Sequence, residues 1–127
     1  MIMHQCPVST SEKKMIEFLE DLNHQKRLMA SCSEALRACT LCAMKATEEG
    51  LNCVVHCGSC ATMLEVSLKY LASRTSHCEE VVALSAKIAK SCSDHCSQHQ
   101  NTHCQDCAAA CGKWAQDVHD LLDTTRT

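Results

Sequence analysis

The sequence predicts an all-α fold: an antiparallel, up-down-up-down four-helix bundle with an N-terminal helical extension. Three observations predict it. Aromatic side chains are nearly absent, with Phe18, Tyr70 and Trp114 the only three in 127 residues. The dominance of Ala, Leu, Ser and Cys favours helices over sheets. Apolar and cysteine positions recur at three- and four-residue steps, the period of one helix face. Three Gly and a single Pro leave few breaks, so the chain divides into amphipathic segments of similar length joined by short links. The length suits one domain, residues 1–127.

Residues 1–9 hold the Pro and read as a flexible lead-in. Ser9 to Ser11 can cap a helix that has Glu12 in its first turn. From there the chain reads helical over about 10–49, with Asn23–Gln25 as a place where it can break and Gly50 as a natural stop. Met15, Phe18, Leu19 and Leu22 form one apolar stripe; Leu28, Cys32, Ala35, Cys39, Cys42 and Ala46 form another. A second helix, about 52–73, turns Cys53, Cys57, Cys60, Leu64, Leu68 and Leu71 inward. The third, about 77–99, carries Cys78, Val82, Ser85, Ala89, Cys92, Cys96 and His99 on one face. The fourth, about 103–123, shows Cys104, Cys107, Cys111, Trp114 and Val118, and Asn101 or Thr102 can cap it.

Antiparallel packing brings the cysteine-rich stretches together. The C-terminal ends of the first and third long helices lie beside the N-terminal ends of the second and fourth. Ten of the thirteen cysteines therefore gather at one end: Cys39, Cys42, Cys53, Cys57, Cys60, Cys92, Cys96, Cys104, Cys107 and Cys111. Cys32 sits near the boundary and joins them as a candidate ligand, whereas Cys78 belongs to the opposite, apolar end and Cys6 lies outside the bundle. The interior divides into a hydrocarbon core and a thiol chamber. Neutral thiols pack as small hydrophobes, so the bundle can fold without metal.

The spacing is chemically specific. Cys53/Cys57, Cys92/Cys96 and Cys107/Cys111 are CxxxC pairs, and Cys39/Cys42, Cys57/Cys60 and Cys104/Cys107 are CxxC pairs. On a helix both place Cβ atoms roughly 5–6 Å apart on one face, so two sulfurs can lean toward a shared ion. Soft thiolates select soft metals, above all Cu(I), and several ions can share bridging sulfurs. His99 and His103 are the candidate nitrogen ligands at the chamber mouth, where His56 and His95 also fall. Zinc, which requires closed tetrahedra, and a thiol-redox sensor are the alternative readings of the same cluster. Disulfides between helices, such as Cys92 to Cys111 and Cys96 to Cys107, would require an oxidising compartment.

Other functions find little support. The net charge of −3 gives no basic footprint for nucleic acid, and no apolar run approaches the roughly 18 residues of a membrane span. No GxSxG, P-loop or facing carboxylate pair points to an enzyme. Glu48, Glu49, Glu79, Glu80, Asp94 and Asp106 read as solvated helix faces. With no export signal evident, the expected compartment is the cytoplasm, where thiols stay reduced.

The stretch Cys92-xxx-Cys96-xx-His99-xxx-His103-Cys104-xx-Cys107-xxx-Cys111 resembles the hallmark of the bacterial four-helix-bundle copper storage proteins. The Cys39-xx-Cys42 and Cys53-xxx-Cys57-xx-Cys60 segments and the Glu48–Glu49 pair fit the same pattern, and the likeness spans about residues 26–120. The resemblance implies a lumen that binds many Cu(I) ions through thiolates, a His-lined mouth, a homotetramer and, for forms without an export signal, a cytoplasmic store. This chain departs from full-capacity members, which line nearly the whole lumen with Cys. Here Leu36, Ala46, Leu64, Leu68, Ser85, Ala89, Trp114 and Val118 occupy lumen-like positions. The expectation is a partial store, loading on the order of the ten clustered cysteines at about one ion per bridging thiolate.

Overall fold

The structure, a computed structural model, describes residues 10–74 and 76–126. The lead-in, with Cys6 and the Ser9 cap, lies outside them. Five helices follow in order: α1 (Thr10–Glu20), α2 (Leu22–Glu49), α3 (Val54–Ser73), α4 (Cys78–Cys96) and α5 (Thr102–Arg126). Helices α2 to α5 form the bundle, each packed on the next, and α5 closes the ring against α2. The short links force neighbours to alternate in direction.

The long first segment is two helices, and the break falls at Asp21. This residue is extended (φ −72°, ψ 113°) and caps α2. Its carboxylate accepts from the Asn23 and His24 amides at 2.9 and 3.3 Å, satisfying two of the donors a helix start leaves open. Because the register restarts there, Leu22 leaves the apolar stripe and is 57% exposed. Helix α1 instead packs across α2, α4 and α5, burying Met15 and Leu19 completely. His24 is half-buried with its ring stacked on Phe18, centroids 3.8 Å apart.

The other boundaries shift for local reasons. Gly50 ends α2 in the left-handed conformation (φ 69°), its amide donating to the Ala46 carbonyl. Arg74 (φ 54°) closes α3, and His77 (φ 70°) holds the start of α4 back to Cys78. Helix α4 ends at Cys96, which leaves His99 on the link. The Asn101 carbonyl accepts from the Cys104 and Gln105 amides at 3.0 Å as α5 begins.

The half of the lumen away from the thiols is packed by Leu64, Leu71, Val82, Trp114 and Val118, and Met15 and Leu19 of α1 are buried in the same core. Each such side chain contributes about 1.5–3 kcal/mol on burial. The Trp114 Nε1–H donates to Ser85 Oγ at 3.1 Å, and Ser85 donates to the Val82 carbonyl at 3.0 Å. Of the lumen-like positions, Leu36 and Leu68 are only partly buried; Ala46, Leu64, Ser85, Ala89, Trp114 and Val118 are enclosed. Among the described residues no helix is long and apolar enough to cross a membrane.

Candidate metal centre

The ten clustered cysteines form one continuous sulfur network. All twelve cysteines among the described residues are buried thiols. The closest Sγ–Sγ approaches are Cys39–Cys111 at 3.1 Å, Cys57–Cys96 at 3.4 Å and Cys39–Cys107 at 3.5 Å. Cys92 lies 3.8 Å from Cys107 and 3.9 Å from Cys57, and Cys60 lies 3.9 Å from Cys111. Toward the mouth, Cys104 lies 3.9 Å from both Cys42 and Cys53. Every bundle helix contributes, because each presents its cysteines at helical spacing on the face that meets the other three; Cys53 comes from the turn leading into α3.

The sulfurs fall into overlapping quartets. Cys39/Cys60/Cys92/Cys111, Cys42/Cys53/Cys57/Cys96 and Cys57/Cys92/Cys96/Cys107 each hold their ligand atoms within 4.8 Å of one another. The second and third share Cys57 and Cys96; the first and third share Cys92. Mixed trios stand at the mouth: Cys42/His103/Cys104 and Cys53/His99/Cys104. The arrangement therefore grades from all-sulfur inside to sulfur and nitrogen outside.

Two cysteines stand apart from this network. Cys32, a candidate ligand by sequence, donates its thiol to the Leu64 carbonyl at 3.3 Å and joins none of the metal-sized groups. It faces a leucine turn of α3 rather than a cysteine turn. Cys78 lies at the apolar end and donates to the Tyr70 carbonyl at 3.7 Å.

Burial is the main influence on Cys32 and on Cys42 and Cys104 at the mouth, because a thiolate away from water is costly. It raises Cys32 to about 12 and Cys104 to about 11, and pushes Cys42 up as well. Inside the network, hydrogen bonding divides the group. Cys107, bonded first to Cys111, is held up, while Cys111 is drawn down to about 5 by Cys107, then Cys39 and Cys60. Cys92 and Cys96 are drawn down as well, Cys107 again the principal partner. Cys57 and Cys107 are the hubs, linking the inner sulfurs to the outer ones.

The histidines occupy two sides of the mouth. His103, at the start of α5, is buried, with Nδ1 3.4 Å from Cys42 Sγ and 3.5 Å from Cys104 Sγ. Its Nε2 pairs with Glu49 at the end of α2. His99 presents a buried Nδ1 that has no hydrogen-bond partner. Its ring meets His95 edge-on, and His95 stacks on His56, with centroids 5.8 and 4.1 Å apart. His95 also contacts Asn52 Oδ1 at 3.3 Å. Glu49 is nonetheless exposed, whereas Glu79, expected on a solvated face, is buried at the start of α4. Met44, a conceivable thioether donor, is 61% exposed outside the chamber.

The family profile described as copper storage protein matches residues 21–123. The chain belongs to the copper storage protein family. A cysteine-rich protein of Bacillus subtilis (strain 168), YhjQ, is 26% identical over 103 residues, which cover 77% of this chain and 95% of that one. The solved structure of the Cu(I)-bound copper storage protein BsCsp3 superposes with a TM-score of 0.74 at 26% identity, covering 77% of this chain and 97% of its own. The apo form of Csp3 from Bacillus subtilis gives 0.70 at 27% identity, covering 75% and 95%. The helical bundle read from the sequence is thus the fold of these copper storage proteins.

Proposed function

We propose that this protein stores several Cu(I) ions in the cytoplasm, without catalysis, held by the ten clustered thiols with His99 and His103 at the mouth. The observation that carries the reading is the sharing of sulfurs between quartets. Separate sites would each claim their own ligands; shared ones suit a cluster in which thiolates bridge soft ions. Membership of a copper storage family and likeness to a Cu(I)-bound relative support the choice of cargo. Loading exchanges thiol protons for cations, so each sulfur charge it creates is paired with a metal ion. Self-association, up to a tetramer, is part of the proposal; exposed Val55, Val66 and Leu84 on α3 and α4 supply apolar surface for it.

One feature favours zinc as a second reading. Cys39/Cys60/Cys92/Cys111 and Cys42/Cys53/Cys57/Cys96 have no member in common and match the four-thiolate sets zinc takes. That arrangement leaves Cys104 and Cys107 without an ion. Titration of the reduced protein with Cu(I) against a competing chelator, followed by elemental analysis, separates the two. Uptake on the order of ten Cu(I) is expected. Saturation at one or two ions, or purification with stoichiometric zinc that Cu(I) does not displace, would reject copper storage.

A further inference from the structure

We infer that Glu49 is a positioning residue for the outermost metal: it fixes the His103 ring so that Nδ1 faces Cys42 and Cys104 as a ready ligand. The inference rests on the copper reading above but can be tested in the metal-free protein. A carboxylate oxygen accepts and cannot donate, so the Glu49 pairing places a hydrogen on His103 Nε2. In the neutral ring the lone pair then sits on Nδ1, the atom within 3.4 and 3.5 Å of the two sulfurs. Without that partner, only the ring's intrinsic bias toward Nε2–H and the two thiols at Nδ1 favour this tautomer, and nothing at Nε2 fixes the ring's orientation.

The carboxylate is itself held in place. Its second oxygen accepts from Asn101 Nδ2 at 3.0 Å, and the Asn101 carbonyl receives the first amides of α5. Glu49 is the last residue of α2, where a negative charge opposes the helix dipole. Its helix gains nothing from it there, whereas the adjoining start of α5 and His103 do. The second mouth histidine supplies a contrast. His99 has ring neighbours and a backbone carbonyl that accepts from Gln105, but its buried Nδ1 has no partner. Carboxylate–histidine–metal arrangements of this kind commonly change metal affinity by about 10–100-fold.

Three proteins test this: the unaltered chain, Glu49→Ala and Glu49→Gln. Nitrogen NMR of reduced, metal-free protein reads the His103 tautomer; Cu(I) titration against a chelator reads the affinity of the last ions to load. In the unaltered protein the Nε2–H form should dominate. Glu49→Ala should raise the share of the Nδ1–H form and weaken the last-loading ions about 10-fold, with the inner ions unaffected. Glu49→Gln should largely restore both, because its carbonyl accepts the same hydrogen and the Asn101 amide can turn to suit. If Glu49→Ala leaves either the tautomer or the outer affinity unchanged, or if Glu49→Gln behaves like Glu49→Ala, the positioning role is overturned. Loss of helical content in Glu49→Ala would also overturn it, by making the pair a structural staple. If the unaltered protein takes up no Cu(I), the storage reading fails, and the tautomer result still stands or falls alone.

Discussion

The two ends of this bundle share four helices and one periodicity, yet they do different work. At the apolar end, Leu64, Leu71, Trp114, Val118, Met15 and Leu19 are buried with no polar duty beyond the Trp114–Ser85 bond. At the other end, ten cysteines are equally buried, but each brings a small side chain and an ionisable sulfur. Burial of large hydrocarbon side chains stabilises the fold; burial of thiols contributes less and leaves a chamber that metal can reorganise. The comparison teaches that a storage site can be preformed when its stability is supplied elsewhere along the same helices.

Substitutions can break this division of labour. The largest effect on folding is expected at the apolar end. Leu71→Ala should lower unfolding free energy by about 2–5 kcal/mol, measured by chemical denaturation, while the Cu(I) count of the folded protein stays the same. A fall in copper count would show that the two halves are not separable.

Alkali should distinguish the two states of the thiol end. The folded-state value of Cys32 is raised from 9.0 to about 12, so between those values the unfolded chain has released a proton that the folded chain keeps. Its contribution is intact below pH 9 and is lost as pH rises toward 12, at about 1.4 kcal/mol per pH unit. Cys42 and Cys104, also raised by burial, act in the same direction. Melting of the apo protein should therefore fall steeply above pH 9. The copper-loaded protein should fall less, because its network sulfurs have already given up their protons.

At the hubs, Cys107→Ala should cost only about 1 kcal/mol in the apo state, since it removes one small buried group. It should nevertheless reduce Cu(I) capacity by more than one ion, because Cys107 contacts Cys39, Cys57, Cys92 and Cys111. Cys32→Ala, outside the network, should leave the count unchanged. The smallest effect belongs to the surface. Breaking the exposed Lys113–Asp117 pair with Lys113→Ala should change stability by less than about 0.5 kcal/mol.

Much of this was legible in the sequence, and the reasons are physical. Steps of three and four residues place cysteines on one helix face, and alternating helix direction brings four such stretches to a common end; both follow from local geometry. Spacing gives the face of a helix but not what stands opposite: Cys32 meets the Leu64 carbonyl and lies outside the metal-sized groups. Leu22 was misassigned because a single capping carboxylate, Asp21, restarts the register. The role of Glu49 was out of reach, since its partner His103 lies 54 residues away and no local pattern links them.

If the shared thiols are the copper site, metal gathers at one end of the bundle. Anomalous diffraction at the copper edge from crystals of the Cu(I)-loaded protein tests it most directly. A compact group of copper peaks is expected, bounded by Cys39, Cys60 and Cys111 on the inner side and by His99 and His103 at the mouth, with none beside Cys32 or Cys78. Copper distributed along the full length of the lumen, or confined to the outer surface, would contradict it.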